Sequence, residues 1–264
     1  MPKFSIFILL FIAVFTFFGS FFYSVDAYAL NSNAILLPPS SINLLGTDRL
    51  GRDLLARLIE GGKVSLFIGV GSAFIASFIG LIFGTIAGYF RGTIDRMFVV
   101  VVDLFLTFPT FFLLLALVSY VNASSFALIV IISITGWMTT ARLVRSESFK
   151  ITTQPYIKIL NIAKINKIKI LFKYYAPLLA PIYFVSFTFG VGGAILAESG
   201  LSFLGLGIVP PQMSWGTILS DGKEVIEIAW WISFFPGLMI FLVTFSLINI
   251  SNYLQQLTNK KQIQ

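Results

Sequence analysis

The sequence has no cysteine and no histidine. Disulfide frameworks, cysteine nucleophiles, thiolate metal sites and imidazole bases are thereby excluded. Charge is scarce too. Only 11% of residues are Asp, Glu, Lys or Arg, where a soluble domain carries about 25%. No Gly-x4-Gly-Lys-Ser/Thr phosphate loop occurs, so the chain is not expected to bind or hydrolyse ATP itself. Hydrophobic residues, by contrast, make up 57% of the chain, with 29 Phe among its 264 residues. Too little polar surface remains to cover a soluble globule, which puts the membrane class first.

A membrane helix needs about 20 mostly apolar residues. Six segments qualify, near 4–22, 64–90, 97–121, 123–141, 174–197 and 230–250. Asp103 is the one charge inside them. The runs are continuous and do not alternate, so an all-α, polytopic bundle is expected and not a barrel. The segment 4–22 has a rival reading. Lys3, the apolar run and Ala27-Tyr28-Ala29 also resemble a signal peptide.

The net charge of +7 sits in loops, as topology signals do, and not in a nucleic-acid patch. Arg142, Arg145, Lys150, Lys158, Lys164, Lys167, Lys169 and Lys173 follow the fourth span with one acid, Glu147. The loop 198–229 instead holds Glu198, Asp221, Glu224 and Glu227 against Lys223. With Arg91, Arg96, Lys260 and Lys261, this asymmetry predicts cytoplasmic N- and C-termini. The loop 23–63 is nearly balanced. Arg49/Asp53 and Asp53/Arg57 fit i,i+4 pairs on a short surface helix capped by Thr47. The expected division is 1–63, a first span and external loop with that helix, and 64–264, a five-span core whose cytoplasmic loop covers 144–173. Gly80, Gly84 and Gly88 form a stripe that lets another helix approach closely.

Between the fourth and fifth spans, Tyr156, Ile159, Leu160 and Ala163 recur at i, i+3, i+4, i+7. Ile165, Ile168 and Phe172 continue out of register. Two short amphipathic helices with a break near Lys164 are expected. Their apolar faces fit either an anionic lipid surface or a cytoplasmic partner subunit.

Several motifs, in order over 46–245, resemble one family: the inner-membrane permeases of binding-protein-dependent ABC importers, in the dipeptide/oligopeptide/nickel branch. Gly46-Thr47-Asp48-Arg49-Leu50-Gly51-Arg52-Asp53 is similar to its GTD-x-x-GRD segment. Asp95 and Asp103 before Phe108-Pro109, and Gly136-Trp137 with Ala141-Arg142-Leu143-Val144-Arg145, resemble two further stretches. The run from Ile195 through Glu198 and Ser202 to Gly207 is the most specific match, continued by Pro210-Pro211, Ser214-Trp215-Gly216 and Phe235-Pro236-Gly237.

The resemblance implies a type I-like permease fold in the inner (plasma) membrane. It implies no enzyme activity and no cofactor on this chain, with ATP used by two partner ATPase subunits. A second homologous permease and an external solute-binding protein complete the partners. The solute is a peptide or a related small molecule, or alternatively nickel or a metal chelate. The family's loop motif docks on the ATPase. By alignment its Ala-Ala pair falls on Ile159 and Leu160, its Gly on Lys164, and its acid on Pro155. Tyr156, Ile159, Leu160, Ala163, Lys164 and Ile168 are therefore the coupling candidates. Asp103, Glu198, Ser202 and Trp215 are the pathway or gate candidates. Asp103 reads either as a cavity-facing group or as a buried anchor bonded to Ser, Thr or Trp. Glu198 reads as a helix cap, a binding-protein contact or a ligand for a solute amine. Trp215, Trp230 and Trp231 also suit interfacial anchoring.

Two other classes fit less well. A self-contained transporter or channel calls for polar spans or inverted repeats, and neither is visible. A membrane enzyme calls for clustered acids, His or Cys at one depth.

Overall fold

The structure is a computed structural model that describes residues 2–121 and 124–263. The helices are α1 (Lys3–Phe22), α2 (Leu54–Phe90), α3 (Gly92–Thr107), α4 (Thr110–Val118) and α5 (Ser125–Thr153). They continue with α6 (Pro155–Ile162), α7 (Lys167–Ile170), α8 (Ala176–Phe203), α9 (Trp215–Lys223) and α10 (Trp231–Ile263). Among the described residues, five helical stretches are long and apolar enough to cross a membrane, or six if the bent pair α3–α4 counts as one.

That bend corrects the expected straight span over 97–121. The chain turns by 81° between Thr107 and Thr110. Pro109 removes a backbone donor and forces the residue before it out of the helical region. Phe108 accordingly lies at φ −85, ψ 134. The boundary expected between the third and fourth spans, at 122–123, lies outside the described residues, as do the side chains of Lys260 and Lys261.

The glycine stripe on α2 does what its spacing implies. A Cβ on Gly84 would sit 2.5 Å from the Ala141 carbonyl, and one on Gly88 would sit 2.5 Å from the Ser148 Cβ. Gly80 is equally tight against Thr140 and Trp137. α2 and α5 thus touch backbone to backbone. Around them pack α8 and α10, while α1 turns Phe4, Phe7, Phe11, Phe21 and Phe22 outward.

The short surface helix capped by Thr47 does not form. α2 begins at Leu54 and runs 37 residues without a break. Asp53 is its N-cap, with Oδ1 accepting the Ala56 amide at 2.9 Å. That role removes Asp53 from the pairings expected with Arg49 and Arg57. Asp53 Oδ2 instead accepts from Tyr23 Oη and Asn43 Nδ2, each at 2.9 Å. The loop before α2 folds back on itself through Gly46 and Gly51, both at positive φ. A side chain at Gly51 would collide with the Asn31 carbonyl at 1.8 Å.

Two expectations follow. Gly84→Ala should destabilise the purified protein by about 1–3 kcal/mol through overpacking, whereas Gly193→Ala, which meets nothing within 4 Å, should be neutral or stabilising by up to about 1 kcal/mol. Thermal midpoints in one detergent check the contrast. Burial, with help from Asp53, pushes the Tyr23 phenol up to about 12 from an ordinary 10.0. The stability this bond gives is present below pH 10.0 and is lost as pH rises toward about 12. A Tyr23→Phe variant should lack that alkaline step.

Candidate functional site

Two regions carry the residues singled out above, one at each end of the bundle. The first is α6. Gln154 precedes it, and Pro155 occupies its first turn, where the missing N–H costs nothing. Ile157 is fully buried against Val144, Ile151, Ile170, Tyr175 and Leu179, with Leu160 partly buried beside it. Asn161 Oδ1 accepts from Tyr89 Oη at 2.9 Å. The helix is thereby fastened to α2, α5 and α8.

Its other face is uncovered. Ile159 is 64% exposed and Ile162 81%. Tyr156, Ala163, Lys164 and Ile168 are exposed as well. The expected stripe therefore divides. Tyr156, Ile159 and Ala163 look outward, and Leu160 leans inward. Ile157, which the pattern reading passed over, is the anchor. Its signal was its i,i+3 spacing to Leu160.

The break falls where expected. The Ile165 amide donates to the Leu160 carbonyl at 3.2 Å and the Lys164 amide to the Asn161 carbonyl at 3.1 Å. This pair of bonds is the Schellman ending. It puts Lys164 at φ 54, a left-handed position that costs a non-glycine residue about 1 kcal/mol. Lysine thus keeps the turn a glycine would make and carries the strain. A π-helical turn, Leu171–Tyr175, then joins α7 to α8, and Thr152 Oγ1 lies 2.7 Å from Tyr175 Oη.

The second region closes the opposite end. Glu198 on α8 is completely buried. Its Oε1 accepts from Ser202 Oγ at 2.7 Å and from Ser214 Oγ at 2.6 Å. Ser199 Oγ lies 3.5 Å from Oε2. No Lys or Arg pairs with Glu198 among the described residues. Ser214 is also the N-cap of α9, in a capping box with Thr217. The carboxylate therefore sits at the positive end of α9. Gly216 makes room for it, since a Cβ there would lie 2.7 Å from Ser199 Cα.

Trp215 is buried and not at an interface. Its Nε1 donates to the Leu58 carbonyl at 2.9 Å, and its amide donates to Ser65 Oγ at 3.0 Å. Trp231 is likewise buried, donating to the Thr47 carbonyl at 3.1 Å. Trp230 alone of the three is exposed, at 52%. Interfacial anchoring is thus corrected for two of the three.

Beyond α9 runs an ion-pair network whose long-range members have no sequence signal. Asp48, fully buried, accepts from Arg52 Nε at 2.7 Å and pairs with Arg57. Arg57 Nη2 reaches Asp221 at 2.9 Å, and Arg49 pairs with Glu224. The loop before α2 is thus tied to α9.

Asp103 is not a buried anchor. Its side chain is 59% exposed and pairs with Arg142 of α5 at 2.5 Å. Asp95 is held by Arg145, which grips it with two nitrogens.

Glu198→Ala should loosen α9, because it deletes the shared acceptor of two buried hydroxyls. The expected loss is about 2–3 kcal/mol. Thermal melting and the rate of proteolysis across 204–213 measure it. Values equal to the parent's for both would mean that the carboxylate does not hold α9.

Residues 80–261 match the family described as the binding-protein-dependent transport system inner membrane component. The oligopeptide transport system permease protein OppC of Haemophilus influenzae is 33% identical over 239 residues, 90% of this chain and 76% of that protein. The dipeptide transport system permease protein DppC of Bacillus subtilis is 34% identical over 260 residues, 97% of this chain and 81% of that one. Among solved structures, the MetNI methionine ABC transporter in an inward-facing conformation is similar. Its TM-score is 0.60 at 17% identity, over 75% of this chain and 96% of that chain, a likeness of fold alone. With its all-helical, multi-pass architecture, the chain belongs to the binding-protein-dependent inner membrane components, the permease subunits of ABC importers.

Proposed function

We propose that this permease carries peptides, and that it is moved by two ATPase subunits pressing on α6. The uncovered face of Ile159 and Ile162 carries this reading. An apolar surface of that kind on a helix fastened from behind by Ile157 fits a protein partner better than a floating lipid contact. Force applied to α6 passes into α2, α5 and α8 through one apolar patch. Relatives named for oligopeptides and dipeptides support peptides over nickel chelates as the solute.

In this reading both termini lie in the cytoplasm, and α9 and its network face outward. A second, similar permease completes the pathway, and an external binding protein delivers the solute to the α9 side. ATP closes the ATPases and favours the outward-open state, and release of the loaded binding protein's solute completes the exchange.

The test is reconstitution with the ATPase pair and the second permease. Ile159→Asp should lower ATP-driven peptide uptake at least tenfold while membrane insertion stays intact. Unchanged uptake would reject α6 as the coupling element. Failure of the chain to co-purify with any ATPase subunit in mild detergent would remove the importer reading itself.

A further inference from the structure

We propose that Asp103 and Arg142 form a solute-contact point in the pathway, where peptide termini exchange for the ion pair. The proposal rests on the importer reading above and names residues for it. α3 starts at Gly92, beside the α2–α3 turn, and Asp103 lies about 16 Å along it at 1.5 Å per residue. An aspartate has one methylene and cannot reach back to the surface as a long basic side chain does. Asp103 lies inside the expected third span and Arg142 just past the expected fourth, and an exposed carboxylate within a span is costly against lipid. Yet Asp103 and Arg142 are 59% and 53% exposed.

The pair is not alone. On α5, Thr139, Arg142 and Ser146 are all exposed at i, i+3, i+7. On α3, Asp103 and Thr107 are exposed one turn apart. Polar side chains from two helices therefore meet at this pair, beside the exposed Val100, Leu104 and Leu143. A cluster of two charges and three hydroxyls there suits water better than acyl chains.

Nor is the pair needed as a fastener. α3 is already bound to α5 by the Asp95–Arg145 pair, whose side chains are only 17% and 28% exposed. A guanidinium presents a fork that matches a carboxylate, and a carboxylate matches an ammonium. A peptide with free termini offers both. Its carboxylate takes Arg142 while its ammonium takes Asp103, so neither is left uncompensated while the solute passes.

The test uses the reconstituted complex with accessible thiols removed from the other subunits. This chain is free of cysteine. Thr139→Cys and Asp103→Cys should react with a charged, membrane-impermeant thiosulfonate at least tenfold faster than Phe74→Cys, which lies on an outward apolar face. Transported peptide should slow the reaction. In a second arm, Arg142→Gln should depress uptake of peptides with a free C-terminal carboxylate about tenfold more than uptake of their C-terminal amides. Thr139→Cys is a small change, so it reports even if the charge variants assemble poorly. Labelling no faster than at Phe74→Cys would place the stripe against lipid or sealed in a subunit interface, and would overturn the proposal. Equal loss for free and amidated peptides would leave the pair a merely structural contact and would overturn it equally. Absence of ATP-driven uptake by the unsubstituted complex would remove the importer reading and this proposal with it.

Discussion

Lipid tails are as apolar as leucine, so burying side chains between two helices gains little in a bilayer. Association then depends on how closely the backbones approach. The α2–α5 contact meets this constraint through Gly80, Gly84 and Gly88, each facing the α5 backbone or a Cβ at under 3 Å from where its own Cβ would lie. Everything else is hung on this pair. The N-terminal end of α2 carries the Asp53 cap and the Arg57 side of the ion-pair network. Its C-terminal end supplies Tyr89 to α6. A single long helix thus connects the two regions where partners are proposed to bind.

The two ends are built from different interactions. At the α9 end, buried carboxyl groups are satisfied by dense, directional bonds: Asp48 with two arginines, Glu198 with serine hydroxyls. Such contacts are strong when complete and expensive when one member is missing. At the α6 end the contacts are an apolar patch, one tyrosine–asparagine bond and a strained turn. Apolar packing has no fixed direction, which suits an element proposed to transmit pushes.

Much of this was legible in the sequence. Apolar runs located the helices, since length against bilayer thickness is a one-dimensional property. The glycine spacing located the central contact, and the out-of-register stripes located the break at Lys164. What escaped was long-range or stereochemical. Asp103 and Arg142 lie 39 residues apart, and Arg57 and Asp221 lie 164 apart. No periodicity links such pairs. Asp53 was assigned to side-chain pairs, yet its place before Leu54 makes it a cap, and its other oxygen is taken by Tyr23 and Asn43. Trp215 was read by residue type as interfacial, yet Gly62 opens a pocket that takes its ring, where a Cβ would stand 2.7 Å from the indole.

The π-helical turn at Leu171–Tyr175 has its own geometric effect. Ile170 and Tyr175 are both fully buried in the same cluster, although five positions separate them. On a regular α-helix a separation of five residues points side chains about 140° apart, at 3.6 residues per turn. The wider turn absorbs one surplus residue and brings both onto one side. The azimuth of α6 about the bundle is thus geared to the phase of α8. Excising that one residue would re-time the two like a slipped cog, swinging Ile157 off its seat without altering a single contacting side chain.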